Sequence, residues 1–219
     1  MAGSGPRASP RAGPGRTTVT EHAEGMLGWR LWRLRDGQLC SWAVTYEWKQ
    51  GSNSATCLSP NTARCTHSPG RHCQCGFWAL NSPLDCLARG RYDGIGWSPV
   101  MGLMRGWGTV ALHGREGFRA QHASVVCLFS DWPFIPRAMR LGGKGWVRWW
   151  RILSLLLQGE AGPVPDQRER LGRLPETARA YGVPLVSIAD SMRLGLLQEL
   201  SVGTPALDEI RAWLKVAAE

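Results

Sequence analysis

Three segments between residues 27 and 129 have the hydrophobic pattern of β-strands, by alternation of apolar and polar residues in the first and by apolar runs in the other two. The first segment begins at Leu27 and contains the turn dipeptide Asp36-Gly37, so it predicts two strands joined as a hairpin. The other two cover residues 100–113 and 118–129, which are rich in apolar and β-branched side chains and are separated by the short segment 114–117. This part of the chain is therefore predicted to be mainly β.

Apolar residues at helical spacing predict several helices around and after these strands. A short helix is predicted over 77–91, and a Trp-rich, basic amphipathic helix over 146–157. Three more helical stretches are predicted over 167–181, 187–200 and 204–218, and the second of them starts with a Ser-x-x-Asp capping box. These elements predict an α+β fold, in which a small antiparallel β-rich N-terminal domain precedes a short helical C-terminal region.

Composition divides the chain into four regions. Residues 1–25 are crowded with Gly, Pro, Ser and Arg and contain no aliphatic side chain larger than valine, so they are predicted to be disordered. Met26 is then a candidate for the true start of translation. Residues 26–132 form the β-rich domain with a Cys/His loop, residues 133–158 hold the Trp-rich basic helix, and residues 159–219 are the helical C-terminal region.

The loop over residues 50–76 is poor in large apolar side chains, so something other than a hydrophobic core must organise it. Its potential metal ligands are Cys57, Cys65, His67, His72, Cys73 and Cys75. Zinc binds four such ligands in a tetrahedron, and Cys73 and Cys75 would direct both thiolates to one ion if the backbone between them is extended. The preferred ligand set is Cys57, His67, Cys73 and Cys75, with Cys65 and His72 as substitutes. Four protein ligands leave no open position on the ion, which predicts a structural zinc site.

Two other interpretations of this loop stay open at the sequence level, namely free thiols, or disulfides in an exported protein. The total of 7 cysteines is odd and no apolar secretory segment is present, which favours a reducing, cytoplasmic location. Cys127 lies in an apolar run and is predicted to be a buried small hydrophobic residue.

Overall composition narrows the class of protein. With 43% hydrophobic and 20% charged residues the chain can bury a core, which excludes a wholly disordered, collagen-like or coiled-coil protein. No apolar run reaches about 18 residues, so no transmembrane helix is predicted. The net charge is +9, and the basic excess lies in residues 1–158, whereas residues 159–219 carry a small acidic excess. Tryptophan supplies 12 aromatic residues against 3 Tyr and 4 Phe, and in the acidic part only Trp213 is found.

Basic charge combined with exposed aromatic rings is how proteins hold single-stranded nucleic acid. In the first predicted strand Arg30 and Trp32 share one face by alternation, and we expect that face to be solvated. The predicted nucleic-acid-binding residues are Arg30, Trp32, Arg33 and Arg35. The alternative is that the excess of arginine reflects codon composition alone. The leading interpretation is thus a non-enzymatic, zinc-stapled binding module with nucleic acid as its partner; a protein partner stays open, and the oligomeric state is not predicted.

Two further functions have some support in the sequence. His113, Arg119 and His122 lie close to a predicted turn and, with Glu116, could form the site of a hydrolase that acts on an anionic substrate. A structural role for these residues is favoured, because no nucleophile stands in a recognisable catalytic motif. The helix over 146–157 could also dock on a membrane surface or on a protein partner through its Trp-Leu face, although a core position explains the same pattern.

Several motifs in the N-terminal part occur together in a known group of sequences. They are GWRLWRLRDGQL, a Cys followed by His67-Ser68-Pro69, CQCGFWA at Cys73 to Ala79, and WGTVALHGREGFRAQHA at Trp107 to Ala123. With these motifs the chain resembles a family of uncharacterised hypothetical proteins from GC-rich, actinomycete-type bacteria, which has no established activity. The resemblance implies that Cys57, His67, Cys73 and Cys75 belong together. It also implies that residues before Met26 lie outside the shared unit and that residues 146–157 are an additional segment.

Overall fold

The computed structural model describes residues 18–42, 44–57, 65, 68–70, 73–83, 85–86, 98–131, 172–203, 206–208 and 210–211. Within these residues the strands are β1 (Thr18–Arg35), β2 (Gln38–Ser41), β3 (Asn53–Ser54), β4 (Phe77–Leu80), β5 (Ser98–Leu112), β6 (Gly117–Phe129) and β7 (Leu185–Val186). The helices are α1 (Leu174–Ala180), α2 (Ile188–Arg193) and α3 (Leu196–Glu199). All strand pairs are antiparallel except β6 with β7. The predicted α+β class, with an antiparallel β-rich part followed by short C-terminal helices, is confirmed.

The hairpin of β1 and β2 forms as its sequence predicts. Asp36 and Gly37 both have positive φ angles, 49° and 79°, which is the conformation of a type I′ turn. Because the twist of this turn matches that of the strands, Arg35 pairs directly with Gln38. The strands predicted over 100–113 and 118–129 are likewise confirmed as β5 and β6.

Four strands close a ring. β5 pairs with both β1 and β6, and β4 pairs with the same two strands on their other edges, so the order β1-β5-β6-β4 returns to β1. Phe118 lies inside this ring and is fully buried. A Cβ atom at Gly28 would lie 2.8 Å from the Phe118 ring, and one at Gly106 would lie 2.7 Å from it. The two mid-strand glycines are therefore what makes room for the phenyl ring.

The core consists of two clusters of buried side chains. The first core cluster includes Trp32, Trp48, Phe77, Phe118, Leu174 and Tyr181. The second core cluster includes Trp29, Leu103, Phe129, Ile188, Leu197 and Ile210. Residues from the C-terminal helices belong to both clusters, and β7 extends the sheet by pairing with β6. The C-terminal elements thus share one core with the strands, although their composition suggested a separate region.

Residues 18–25 differ from the prediction. They were expected to be disordered, but β1 begins at Thr18, which pairs with Leu112 of β5. The prediction was wrong here because it relied on side-chain composition, whereas this end of β1 is held by backbone pairing to β5. Residues 1–17 lie outside the described residues.

The helix predicted over 77–91 is also corrected. Phe77–Leu80 is strand β4, which bridges β1 and β6, and helical backbone is found only later in this segment, at Pro83, Asp85 and Cys86 of the described residues. Tertiary pairing overrides local helix propensity in this case, because Phe77 and Ala79 alternate toward the first core cluster. The Trp-rich helix predicted over 146–157 lies outside the described residues.

Helix α2 begins as its capping box predicts. The Ser187 hydroxyl oxygen accepts a hydrogen bond from the Asp190 backbone N–H at 3.3 Å. Asp131, just after β6, adds a second cap, since one of its carboxylate oxygens accepts from the Ile188 N–H and the other from the Ser187 hydroxyl, both at 2.8 Å. Across the part of the chain that the structure describes, no helix is long and apolar enough to cross a membrane.

Candidate metal centre

Four cysteines converge between β3 and β4. The Sγ atoms of Cys57, Cys65, Cys73 and Cys75 all lie within 4.8 Å of one another, and each side chain is half-buried. Cys65 is 3.5 Å from Cys73 and 3.2 Å from Cys75, measured between Sγ atoms. A tetrahedral ion with metal–sulfur bonds of about 2.3 Å needs sulfur atoms about 3.8 Å apart. The cluster therefore has the size for one metal ion, and it is too small for four thiolates that each bind a different iron of a cluster.

The sequence analysis placed three of these four ligands in the preferred set. Cys57, Cys73 and Cys75 are in the cluster, and the fourth thiol is Cys65, which was expected only as a substitute. His67, the fourth member of the preferred set, lies outside the described residues, as does the other substitute, His72.

The local backbone is shaped around the sulfur atoms. The Gly70 backbone N–H donates to the Cys75 Sγ at 3.3 Å, which is the kind of contact that stabilises a thiolate. A Cβ atom at Gly70 would lie 2.6 Å from the Cys65 Cβ and 3.1 Å from the Cys73 Sγ, so only glycine fits at this position. Gly76 leaves the site with a φ of 108°, which L side chains rarely adopt, so glycine suits the turn out of the loop.

The thiols of the cluster differ in acidity because they hydrogen-bond to one another. Burial raises the pKa of Cys65, and the hydrogen bonds of its side chain with the other three thiols raise it further. Burial acts in the same direction on Cys73, but hydrogen bonds from Cys75 and Cys65 outweigh it and lower the pKa of Cys73 to about 6. A thiolate is the form that binds metals, so Cys73 is prepared to be a ligand near neutral pH.

Arg119 joins the cluster to strand β6. Its side chain is buried, and its Nη1 donates to the carbonyl oxygens of Cys73 and Cys75, the latter at 3.0 Å. Its Nε donates to His113 Nε2 at 2.8 Å. The guanidinium also lies over the Trp78 ring, 5.3 Å from its centre, and the His113 ring stacks on the same indole at 4.6 Å. The backbone of Cys73 and Cys75 is thus anchored to the closed ring of strands.

The predicted hydrolase group is not brought together as a whole. His113 and Arg119 are in contact, but His122 hydrogen-bonds through Nδ1 to the Ser54 hydroxyl at 3.0 Å and stacks beside Trp107. Arg119 is only 2% exposed and its donors bind protein carbonyls and His113, so it does not present a guanidinium to a substrate. These contacts favour the structural interpretation of the group.

The predicted solvated face with Arg30 and Trp32 is wrong. The two residues share a face as alternation requires, but it is the inner face, and Trp32 is completely buried. Arg30 is half-buried; it donates to the Trp78 carbonyl and to the Ser41 hydroxyl at 3.1 Å, and lies 4.7 Å from the centre of the Trp48 ring. Burial lowers the pKa of Arg30 to about 10, and the nearby Cys86 opposes this shift. Both faces of β1 are covered, so neither face is left for solvent. Trp32 buries its large apolar surface inside, and Arg30 packs its long apolar stem there while its polar tip is hydrogen-bonded.

The other two predicted nucleic-acid-binding residues are nearer the surface. The Arg33 guanidinium lies 4.9 Å from the centre of the Trp42 ring, and both side chains are half-buried. Arg35 is exposed at the end of β1. Charge and an aromatic ring therefore remain together at this edge of the hairpin.

Two features of the site were missed from the sequence. Arg119 was considered for substrate binding and not for the metal loop, although an arginine between the buried residues Phe118 and Ala120 is a signal that it has an internal partner. Gly70 carries no signal that separates it from other loop glycines.

Comparison of the chain with protein-family models, with curated proteins and with solved structures finds no match. The resemblance to the actinomycete-type family stays a prediction.

Proposed function

We propose that this protein is a non-enzymatic binding module whose fold is held by one structural zinc ion, bound by Cys57, Cys65, Cys73 and Cys75. The observation that carries the proposal is the convergence of these four Sγ atoms within 4.8 Å. Zinc is the favoured metal because it accepts four thiolates in a tetrahedron without any need for redox chemistry. Four protein ligands leave no coordination position for a substrate or water, so the ion would be structural. Such a site needs reduced thiols, which supports a cytoplasmic location.

The proposed ion would replace a hydrophobic core under the loop. Cys57 follows β3, whereas Cys73 and Cys75 precede β4, so one ion would tie the two ends of the loop together. Closing a loop in this way stabilises the folded chain, because the ligands are brought together only in the native state.

Metal analysis of purified protein tests this proposal. We expect about one zinc per chain by elemental mass spectrometry, and we expect the Cys73→Ser and Cys75→Ser variants to lose the metal together with the structure of the loop. Cys127→Ala is the matched control, since Cys127 is a buried thiol of β6 that does not belong to the cluster, and it should keep a full complement of zinc. Wild-type protein that is folded and free of metal would contradict the proposal; one iron per chain would contradict the choice of zinc.

We further propose nucleic acid as the partner of this module. The net charge of +9 supports a polyanionic partner, and the Arg33–Trp42 contact with Arg35 beside it supports an edge that offers both charge and a ring for base stacking. Arg30 and Trp32 are no longer part of the proposed surface, because they lie inside the fold.

Fluorescence anisotropy with a single-stranded oligonucleotide tests this second proposal. The double variant Arg33→Ala/Arg35→Ala should bind about tenfold more weakly and should reduce the salt slope by about 2. The matched control is Arg193→Ala/Arg211→Ala, which removes the same charge from two exposed arginines that pair with Asp190 and Asp208. An equal loss in both variants would mean that net charge alone drives binding, and an absence of binding by the wild type would exclude this partner.

A further inference from the structure

We infer that Arg119 is the counter-ion and positioning residue of the metal centre, so that metal affinity depends on a side chain that binds no metal. The inference rests on the proposed metal site. It does not follow from the cysteines alone, since it concerns a side chain of strand β6, which lies outside the loop.

The first argument is that Arg119 is a buried cation with no anionic partner among the described residues. Only 2% of the residue is exposed. Its hydrogen-bond acceptors are two carbonyl oxygens and the His113 Nε2 atom, and the ring beneath it is that of Trp78. None of the ion pairs in the described part of the chain involves Arg119. A buried charge is tolerated when an opposite charge lies nearby, and the hydrogen bonds of Arg119 supply none.

The second argument is that the metal centre has the opposite imbalance. A divalent ion bound by four thiolates carries a net charge of −2. The Gly70 N–H donates to the Cys75 Sγ, but a backbone N–H offers a dipole and not a full positive charge. Arg119 reaches the carbonyl groups of Cys73 and Cys75, so its guanidinium lies beside two of the four ligands. A buried cation and a half-buried anionic centre would thus be neighbours, and each would explain why the other is tolerated.

The third argument is geometric. Arg119 is paired in register with Trp78 of β4 on one side and Ala111 of β5 on the other, so its backbone is fixed in the middle of three strands. One nitrogen of its guanidinium binds the carbonyl groups of two residues that are two positions apart, while Nε is held by His113. A planar group that is held at two points sets the direction of the Cys73–Cys75 segment. Hydrogen-bond partners that hold metal ligands in this way fix the direction of the ligands in many metal sites.

Zinc affinity measured by competition with a chromogenic chelator tests the inference on the full chain. Arg119→Met removes the charge and keeps the volume, and we expect its zinc affinity to fall by about 10- to 100-fold. Arg119→Lys keeps the charge but loses the two-carbonyl geometry, so we expect an intermediate loss of about threefold to tenfold. Arg30→Met is the matched control, since Arg30 is also stacked on a tryptophan and also donates to a backbone carbonyl, but has no contact with the cluster. Its zinc affinity should change by less than about twofold even if its thermal stability falls.

Thermal unfolding with and without zinc separates this role from a merely structural one. Added zinc should raise the melting temperature of Arg119→Met less than that of the wild type, whereas Arg30→Met should keep the full zinc-dependent increase. Wild-type zinc affinity in Arg119→Met would overturn the inference and leave the proposed function intact. If Arg119→Met fails to fold, the affinity of Arg119→Lys decides, and a wild-type value overturns the inference. Wild-type protein without metal affinity is a different result, since it removes the proposed function itself.

Discussion

The closed ring of strands and the cysteine loop hold their backbones by different means. In the ring, β5 shares long antiparallel ladders with β1 and β6, and the interior is filled by Phe118 between two glycines. In the loop, the described residues between 55 and 76 form neither helix nor strand. Their contacts include those between sulfur atoms, from Gly70 to Cys75, and from Arg119 to carbonyl groups. Apolar burial organises the first region, and the proposed metal ligation would take its place in the second.

The largest expected effect is the removal of metal. Because the loop has few apolar contacts, chelation should raise amide hydrogen exchange across residues 68–76 by about two orders of magnitude, while β5 and β6 change by less than about tenfold. Hydrogen-exchange mass spectrometry on the same sample before and after chelation measures both regions at once. Cys75→Ser should give the same exchange pattern without a chelator. If β5 and β6 lose as much protection as the loop, the ring also depends on the metal. The two regions would then not be held by different means.

The next effect concerns the interior of the ring. Phe118→Ala should lower the free energy of unfolding by about 3–5 kcal/mol, because a fully buried phenyl ring leaves a cavity among strands that cannot collapse. Gly28→Ala should cost about 1–3 kcal/mol, since its Cβ would lie 2.8 Å from that ring. In a double variant, Phe118→Leu should recover part of the loss from Gly28→Ala, as measured by urea denaturation. Strict additivity would show that the two residues do not share the space assigned to them.

The comparison also explains which parts of the fold could be predicted. The β1–β2 hairpin and the strands β5 and β6 carry local signals, namely an Asp-Gly turn and alternating apolar residues, and these were sufficient. β4 and residues 18–25 have weak local signals, and they are strands because the ring supplies partners for them. Pairing between distant segments cannot be derived from the composition of one of them.

The faces of β1 illustrate a second limit. Alternation correctly grouped Arg30 with Trp32, but it could not identify which face is solvated, because both faces of β1 are covered: Trp32 belongs to the first core cluster and Trp29 to the second. The metal site shows the same limit, since spacing identified the cysteines of the loop and left Cys65 and His67 as alternatives. Which side chains of a loop meet depends on how the loop closes. Its anchor, Arg119, lies on a strand 44 residues away from Cys75.

A smaller effect tests how the C-terminal helices are joined to β2 and to the segment that follows it. The Tyr181 hydroxyl accepts from the Leu39 N–H at 3.0 Å and donates to the Trp48 carbonyl at 2.7 Å. Tyr181→Phe leaves these buried groups without that partner and should lower stability by about 1–3 kcal/mol in urea denaturation. Tyr46→Phe is the control. Among the described residues the Tyr46 hydroxyl bonds to an Asn53 oxygen that also accepts from the Lys49 N–H, so that oxygen keeps a partner in the variant. The free energy of unfolding should fall by less than about 1 kcal/mol. Equal losses in the two variants would show that the hydrogen bonds of Tyr181 stabilise the protein no more than the bond of Tyr46 does.

The smallest effect separates thiols of the ring from thiols of the loop. Burial raises the pKa of Cys127 to about 11, while a hydrogen bond with the Leu103 backbone opposes the shift, and the unfolded thiol titrates near 9. Between pH 9 and 11 the unfolded chain therefore releases a proton that the folded chain retains, so stability is complete below pH 9 and falls as the pH rises. Between pH 8 and pH 10 the wild type should lose about 1 kcal/mol more free energy of unfolding than Cys127→Ala. The two proteins share every other titrating group, so the contributions of those groups cancel in this difference. If the two proteins lose stability in parallel, Cys127 is accessible to solvent in the folded state, and the ring is less tightly closed than its packing indicates.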